Sequence, residues 1–164
     1  MATIGLLSDT HGLLDGRVLE HFANVDEIWH AGDIGTPEVL KQLREFKPTR
    51  AVYGNCDYGD VRATLNEFYR FRVENTDVLM THIGGYPGNY NPVARHYIER
   101  KPPRLFVCGH SHILKVKYDP NYRMLCLNPG AAGKFGFHLV QTLLRFKIDG
   151  EEIKDLEVIE LERR

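Results

Sequence analysis

The chain has 164 residues, of which 43% are hydrophobic and 26% are charged, values that are ordinary for one soluble globular domain with a substantial core. Its formal net charge of -1 at pH 7 excludes a strongly basic protein whose overall field would attract nucleic acid or an anionic membrane. Its three cysteines cannot all pair and show no CxxC spacing, which favours free thiols in a reducing compartment.

The first third of the chain predicts three strands that alternate with two helices. The strands cover residues 3–8, 26–33 and 49–57. Each strand is an apolar run that ends in polar residues. The helices cover residues 16–22 and 36–46, and the second has Thr36 as its N-cap and Pro37 at its first position. This alternation predicts parallel strands joined by crossover helices.

The remaining two thirds predict one further helix, over residues 91–100, and several more strands. These strands cover residues 68–73, 76–82, 104–112, 113–119, 123–128, 137–149 and 151–161. The first two form a pair joined through Glu74 and Asn75, and the last four alternate like antiparallel strands. The charge pattern of the final segment also fits a helix. The glycine- and tyrosine-rich segment 82–92 predicts a mobile or shaped loop.

Five of the predicted strands end in side chains with nitrogen or oxygen donor atoms. The seven residues are Asp9, His11, Asp33, Asn55, His82, His110 and His112. Because ligands collect outside the carboxyl ends of strands in open α/β sheets, we expect these side chains to converge on one rim. Each signal alone is weak: the GHSH stretch also fits a polar surface turn, and both aspartates also fit helix N-caps. Their joint occurrence favours one site.

The donor set consists of four imidazoles, two carboxylates and one amide carbonyl. This mixture suits a divalent transition metal such as Mn, Fe, Co, Ni or Zn, whereas Mg alone would normally take more oxygen ligands. The near absence of cysteine among the donors argues against a closed structural zinc site. Seven donors are too many for one ion but suit two ions that share a carboxylate. Asp33 is the expected bridge, because a carboxylate has two oxygens.

The same residues lie in five short motifs, DTH (9–11), GD (32–33), GN (54–55), TH (81–82) and GHSH (109–112). In type and order these motifs resemble the signature of the calcineurin-like metallophosphoesterases. The short chain and its GNCD and NPG stretches most resemble the small single-domain members known as the YfcE-type phosphodiesterase group. The resemblance implies one metallophosphoesterase domain over residues 1–164. It also implies a four-layer α/β/β/α sandwich of two mixed sheets flanked by helices.

The resemblance further implies two divalent metal ions per chain, with Mn as the preferred ion and Ni, Fe, Co or Zn as others that fit. One ion would be held by Asp9, His11 and His112, the other by Asn55, His82 and His110, and Asp33 would bridge them. Catalytic roles would fall to Asp33, Asn55 and His82. One residue departs from the larger family: many members have a histidine after the Gly-Asn motif, associated with the leaving group or the phosphate, and this chain has Cys56 there.

Several other residues are expected to support this centre or the core. The side chains of His30 and Asp57 and the backbone carbonyls of residues 128–130 are candidates for orienting the histidines. Tyr86 and Tyr90 are either loop anchors or substrate contacts. The residues expected to be structural, solvated or part of the core are His21, His96, His138, Cys108 and Cys126.

These expectations favour hydrolysis of a phosphodiester bond in a small phosphoester substrate, by attack of a hydroxide that bridges the two ions. A nucleotide pyrophosphatase or phosphomonoesterase on the same site is an open alternative. Another is a metal-binding scaffold for protein contacts, like a retromer subunit of eukaryotes with this fold, although the presence of all seven donors favours catalysis.

The expected partners and location follow from what the sequence lacks. The N-terminal run has neither a charged n-region nor a long apolar segment, so neither a secretory signal nor a membrane span is expected. We therefore expect a cytoplasmic protein with no membrane partner, and nothing in the sequence indicates nucleic-acid binding. Whether the chain forms a homo-oligomer is left open.

Overall fold

Twelve strands and four helices form within residues 1–138 and 140–162, the part of the chain that the computed structural model describes. The helices are α1 (Gly16–His21), α2 (Pro37–Phe46), α3 (Gly59–Thr64) and α4 (Pro92–Arg100). The strands are β1 (Ala2–Leu7), β2 (Glu27–His30), β3 (Thr49–Ala51), β4 (Phe68–Val73), β5 (Thr76–Thr81), β6 (Gly85–Tyr86), β7 (Asn89–Tyr90), β8 (Leu105–Val107), β9 (Leu114–Asp119), β10 (Met124–Pro129), β11 (Val140–Asp149) and β12 (Glu152–Glu162). Across these ranges, no helix is long and apolar enough to cross a membrane.

Ten of the strands form two mixed sheets of five strands each. The first sheet has the order β12-β11-β1-β2-β3, in which β1, β2 and β3 are parallel and β11 pairs antiparallel with both β1 and β12. The second has the order β4-β5-β8-β10-β9, in which the three central strands are parallel and the two outer strands antiparallel. The final segment is therefore a strand and not a helix. The antiparallel prediction holds only in part for β10, which pairs in parallel with β8.

The core between the sheets is built from side chains that alternate along the strands. Leu6 of β1 packs into this core, whereas its neighbour Leu7 packs on the opposite face of the sheet. Trp29 of the first sheet is fully buried, and its ring makes edge contacts with Phe71 of the second sheet at 5.0 Å and with Phe146 at 5.6 Å. Such aromatic contacts stabilise a fold by about 0.5–1.5 kcal/mol each beyond the area that they bury.

Helices cover the outer faces of the two sheets. Val18 of α1 and Leu43 of α2 are buried against the first sheet, and Ile98 of α4 is buried against the second. Asn91 caps α4, since its side-chain oxygen accepts backbone N–H bonds of 2.9 and 3.3 Å from the first turn. Pro37 lies in the first turn of α2, as predicted. The predicted α/β/β/α sandwich of two mixed sheets is confirmed.

One helix and two short strands were not predicted from the sequence. The helix α3 buries only Val61, so its six residues carry no apolar period that a pattern could show. The segment predicted as a mobile or shaped loop contains the short β6–β7 hairpin, in which Gly85 pairs with Tyr90 and Tyr86 with Asn89. This hairpin follows directly after the carboxyl end of β5.

Candidate metal centre

The seven predicted donor residues lie in loops that follow strands of both sheets. Those from the first sheet are Asp9 and His11 after β1, Asp33 after β2 and Asn55 after β3. Those from the second sheet are His82 after β5 and His110 and His112 after β8. The rim is therefore shared by the two sheets, whereas the rule used for the prediction concerns the carboxyl edge of one open sheet.

The structure brings the donor atoms of these residues together in two groups. Among the seven predicted donors, the groups of three whose ligand atoms all lie within 4.8 Å of one another are Asp9, His11 and His112, and Asp33, His82 and His110. Asn55 adjoins the second group, with its Oδ1 3.1 Å from His110 Nδ1. Each group contains three of the residues that the sequence assigned together.

Three buried atoms of this centre have no hydrogen-bond partner among the described residues, namely Asp9 Oδ1, His11 Nε2 and His82 Nε2. Leaving a buried polar atom unpaired costs about 1–3 kcal/mol, so such atoms call for a functional explanation. Within one expected ligand set, Asp9 Oδ1 lies 3.7 Å from His11 Nε2 and 3.3 Å from His112 Nε2. Two ligands of a tetrahedral ion, each about 2.1 Å from it, are about 3.4 Å apart. The donor spacing and chemistry therefore fit a bound divalent cation.

The Asp9 carboxylate is held by one oxygen and turns the other toward the histidines. Its Oδ2 accepts hydrogen bonds from the Ser8 hydroxyl at 2.7 Å and from the His110 backbone N–H at 3.1 Å. Burial alone would raise the pKa of Asp9, but His11 and His112 outweigh it and hold the pKa far below the ordinary value. The side chain is therefore a carboxylate at neutral pH, as a metal ligand must be.

The two oxygens of Asp33 likewise have different partners. Its Oδ1 accepts the Cys56 backbone N–H at 2.8 Å. Its Oδ2 lies 3.1 Å from His82 Nε2 and 3.7 Å from His11 Nε2, and thus between histidines of the two expected ligand sets. A Cβ at Gly54 would come within 2.1 Å of Oδ1, so the glycine of the Gly-Asn motif makes room for this carboxylate. The single oxygen Oδ2 therefore faces one histidine of each group.

His82 is oriented by a backbone carbonyl. Its Nδ1 lies 2.8 Å from the Ala31 carbonyl, which can only accept, so Nδ1 donates and Nε2 is left to bind. The expected carbonyls of residues 128–130 are not the ones that orient this ring. Burial would lower the pKa of His82, but the carboxylates of Asp33 and Asp9 and the Ala31 carbonyl together outweigh it and raise the pKa above the ordinary value. The same negative charges that favour a proton on His82 would favour a bound cation.

The backbone of the centre is held in an uncommon conformation. Five of the eight non-glycine residues with positive φ in the described chain are expected donors: Asp9 (56°), His11 (48°), Asp33 (55°), His110 (72°) and His112 (62°). Such left-handed residues cost on the order of 1–3 kcal/mol each and cluster at functional sites. Hydrogen bonds across the rim hold them, including Asp9 N–H to the Gly32 carbonyl at 2.9 Å and His11 N–H to the Asp33 carbonyl at 3.0 Å.

His30 supports the loops of this centre from below and is neutral. Its Nδ1 accepts the Gly32 N–H at 3.1 Å, so Nε2 carries the proton and donates it to the Thr10 hydroxyl at 2.9 Å. Thr10 in turn donates to the Ile34 carbonyl at 2.9 Å. Burial lowers the pKa of His30 to about 4. The side chain thus joins the loop after β1 to the loop after β2.

We expect acid to destabilise the fold through His30. The pKa is about 4 in the folded state against an ordinary value of 6.5, so the unfolded chain binds the proton more tightly. This contribution to stability is fully present above pH 6.5 and is lost as the pH falls toward 4, by up to about 3 kcal/mol. Urea unfolding of the metal-free protein should show the loss as a falling free energy of unfolding. The fall should be shallower in His30→Gln and unchanged in the exposed control His96→Gln; equal slopes for wild type and His30→Gln would contradict the assignment.

Asp57, another expected supporting residue, binds backbone groups and not the histidines. Its two oxygens accept the N–H groups of Ile34 at 3.1 Å, Gly35 at 2.8 Å and Gly54 at 2.9 Å. The first two lie in the loop after β2 and the third in the loop after β3. Asp57 therefore fixes these two loops, and their donors, relative to each other.

His138 lies beside the centre, where the sequence did not place it. Its ring makes an edge contact with the His112 ring at 5.3 Å, and its Nε2 lies 2.6 Å from the Gly133 carbonyl. The predicted strand 137–149 begins only at Val140, and residue 139 lies outside the described residues. The signal that could have indicated this was the glycine-rich composition before the strand, which is typical of a loop.

Two further side chains reach the centre without being expected ligands. The Phe135 ring lies 4.9 Å from the His11 ring. The sulfur of the exposed Cys56 lies within 4.8 Å of ligand atoms of both His11 and Asp33. The position after the Gly-Asn motif is thus at the centre itself.

Comparisons with known proteins agree in family and fold. The sequence model of the calcineurin-like phosphoesterase superfamily domain matches residues 2–151. A probable metallophosphoesterase of Methanothermobacter thermautotrophicus is 30% identical over 165 residues, which cover 95% of this chain and 91% of the relative. A structure described as a novel archaeal phosphodiesterase is 22% identical, with a TM-score of 0.74 over 97% of this chain and 99% of its own. Vps29 of Entamoeba histolytica complexed with zinc is 17% identical, with a TM-score of 0.74 over 98% of each chain.

Proposed function

The chain belongs to the calcineurin-like phosphoesterase superfamily, and on this premise we propose that it hydrolyses phosphodiesters with two divalent metal ions. A phosphoester hydrolase that uses divalent metal ions follows from the family. The proposal adds the diester as substrate, the pair of ions, manganese as the preferred ion and one domain over residues 1–164.

The observation that carries the proposal is the set of buried donor atoms without hydrogen-bond partners among the described residues. Asp9 Oδ1, His11 Nε2 and His82 Nε2 face one another across the rim. Hydrogen bonds alone leave them unsatisfied, whereas bound cations would satisfy all of them. The position of Asp33 Oδ2 between His82 and His11 supports two ions with one shared ligand.

Three of the proposed ligands, Asp9, Asp33 and His82, are oriented by hydrogen bonds in advance. One ion would be held by Asp9, His11 and His112, the other by Asn55, His82 and His110, and both by Asp33. When bound, the two ions would supply an activated water and neutralise the phosphoryl oxygens. Because hydrogen bonds already orient Asp9, Asp33 and His82, little reorganisation is needed when substrate arrives. Asp33, Asn55 and His82 are the proposed catalytic residues.

The choice of diesters over monoesters is supported by Cys56. A monoester carries up to two negative charges at neutral pH, and a diester carries one. A protonated histidine at this position could offer a positive charge to the second negative charge of a monoester, but a thiol cannot. The pyrophosphatase and phosphomonoesterase alternatives differ from the proposal in this respect, and a substrate panel separates them.

The test of the function uses metal-free protein reloaded with Mn, Ni, Fe, Co, Zn or Mg separately. Diester, monoester and nucleotide pyrophosphate substrates are assayed with each metal. We expect hydrolysis that requires added metal, with diesters preferred and Mn among the best ions. Faster turnover of monoesters or pyrophosphates would replace the proposed substrate. A flat response across all metals and substrates would favour the scaffold.

His110→Ala and His112→Ala should affect different ions. His110 lies with Asp33 and His82, whereas His112 lies with Asp9 and His11. Each substitution should lower the occupancy of its own site, by about 10–100-fold or more in affinity, since even outer partners of metal ligands have effects of that size. Anomalous scattering from crystals of each variant grown with Mn measures both occupancies. Loss at the same site in both variants would contradict the assignment.

The proposed setting is the cytoplasm, with a small phosphoester as substrate. All three cysteines are free, which is typical of a reducing compartment. Fractionation of cells that express the tagged chain checks the location.

A further inference from the structure

A pocket of about 290 Å³ lies directly beside the proposed centre. His110 and Ser111 line one end of it, and the β6–β7 hairpin and the start of β9 form its walls. Its volume is near the lower end of the roughly 300–1,000 Å³ found for small-molecule sites, so it suits one ring system and not an extended chain. A group attached to a phosphorus atom at the centre would have this pocket next to it.

The walls of the pocket include three large apolar side chains that the fold leaves open to solvent. Ile83 is 37% exposed, Tyr86 43% and Ile113 63%. Exposed apolar residues are common singly, but three around one concavity next to polar groups mark a binding site. The pocket thus offers apolar contact area within reach of a polar reaction centre.

The Tyr86 ring is held in place by two neighbours. The ammonium of Lys115 lies 4.0 Å from the ring centroid, and the Asn89 amide donates to the Tyr86 hydroxyl at 3.2 Å. Lys115 also lines the pocket, and none of the described residues that line it is acidic. The pocket therefore favours a ligand that combines an aromatic group with a negative charge.

The hairpin that carries Tyr86 is a fixed part of the fold. A Cβ at Gly84 would come within 2.7 Å of both Phe106 and Cys108, so the hairpin begins in close contact with the second sheet. The Tyr90 hydroxyl donates to Asp119 Oδ2 at 2.6 Å and anchors the other strand of the hairpin. The pocket is accordingly formed before any ligand binds, which limits the entropy lost on binding.

Resting on the proposed phosphodiesterase function, the geometry points to an aryl group as the ester substituent of the phosphodiester that this pocket receives. The phosphoryl group lies at the centre beside His110, and the aromatic ring packs against Tyr86, Ile83 and Ile113. Lys115, whose ammonium lies over the Tyr86 ring, offers a positive charge to the anionic ligand. Tyr86 is the specificity-determining residue, because its aromatic ring packs more favourably against another aromatic ring than against a purely aliphatic group.

The test uses phosphinates, which have two carbon–phosphorus bonds, carry one negative charge like a diester and cannot be hydrolysed. Calorimetry with the Mn-loaded protein compares benzyl(methyl)phosphinate, cyclohexylmethyl(methyl)phosphinate and dimethylphosphinate. We expect the benzyl compound to bind roughly tenfold more tightly than dimethylphosphinate, the gain from burying part of a phenyl ring. The cyclohexyl compound should fall between them. Because no bond is broken, leaving-group chemistry does not affect this comparison.

Three variants test whether the preference for the benzyl compound depends on the Tyr86 ring. Tyr86→Ala should lose most of the preference for the benzyl compound while leaving dimethylphosphinate affinity unchanged, and Tyr86→Phe should keep it. Tyr118→Ala removes a tyrosine that is 50% exposed on β9 and does not line the pocket, and it should also keep the preference.

The outcomes separate this inference from the function on which it rests. Equal affinity for the benzyl and cyclohexylmethyl compounds, or a preference that survives Tyr86→Ala, would overturn the pocket assignment and leave the phosphodiesterase standing. Hydrolysis of diesters without any difference among the phosphinates would do the same. No binding of any phosphinate together with no turnover would overturn both.

Discussion

Asp33→Asn should reduce turnover about a thousandfold or more, because the loss of several kcal/mol of metal-derived stabilisation corresponds to that factor. Asp33 Oδ2 is the oxygen placed between His82 and His11, so one substitution weakens both proposed ligand sets. An amide retains an oxygen for the Cys56 N–H, and the loop should therefore keep its shape. The measurements are kcat with saturating metal and the number of ions bound per chain.

The matched control for this substitution is Asp60→Asn in α3. Asp60 is exposed and lies outside both ligand groups, so turnover and metal content should stay at wild-type values. Near-normal turnover of Asp33→Asn with two ions bound per chain would contradict the bridging assignment. Loss of only one ion would show that Asp33 serves one site.

Cys56→His should make turnover less dependent on the leaving group. A leaving alkoxide needs a proton when its own pKa is high, and a positioned general acid contributes about 10²–10⁴-fold. A thiol is a weak donor, so the wild type should cleave aryl diesters, whose phenolate leaves readily, much faster than alkyl diesters. Position 56 lies at the centre, and an imidazole there could reach the leaving oxygen and raise alkyl ester turnover most.

The measurement is kcat/KM against the pKa of the leaving group at fixed metal occupancy. We expect a steep slope for the wild type and a shallower one for Cys56→His. Cys56→Ser is the control, since it keeps a small side chain without adding an imidazole, and its slope should match the wild type. If wild type and Cys56→His have equal slopes, position 56 serves packing, and another group, such as a water molecule, protonates the leaving oxygen.

That the donor side chains of the candidate site lie close together could be predicted from the sequence, because their positions follow from local rules. Asp9, Asp33 and His82 each end an apolar run, and an apolar run that is buried in a sheet delivers its next polar residues to the sheet edge. A strand can be recognised from a few neighbouring residues, without the rest of the chain. The alternation along each strand likewise decided which residues enter the core between the sheets.

Features that depend on distant partners could not be predicted in the same way. Nothing local to β11 says that Phe146 lies opposite Ile4 of β1, so the hydrophobic pattern does not show how the strands divide between two sheets. The Ala31 carbonyl that orients His82 comes from the loop after β2, 51 residues earlier in the chain, and has no side-chain signature. The place of His138 beside His112 depends on the path of a loop, for which the sequence offers only composition.

The shared rim has a mechanical consequence. Each proposed ion would bind donors from both sheets, so it would act as a cross-link between layers that are otherwise joined mainly by apolar packing and by hydrogen bonds at the rim. The three cysteines of the chain are free. In the proposed reducing setting, bound metal would therefore take the place of the disulfide cross-link that stabilises many secreted proteins. Unlike a disulfide, this cross-link follows the metal supply. Loading the protein should therefore slow the opening of the carboxyl ends of β1, β2, β5 and β8 together, and hydrogen exchange there would respond as one unit.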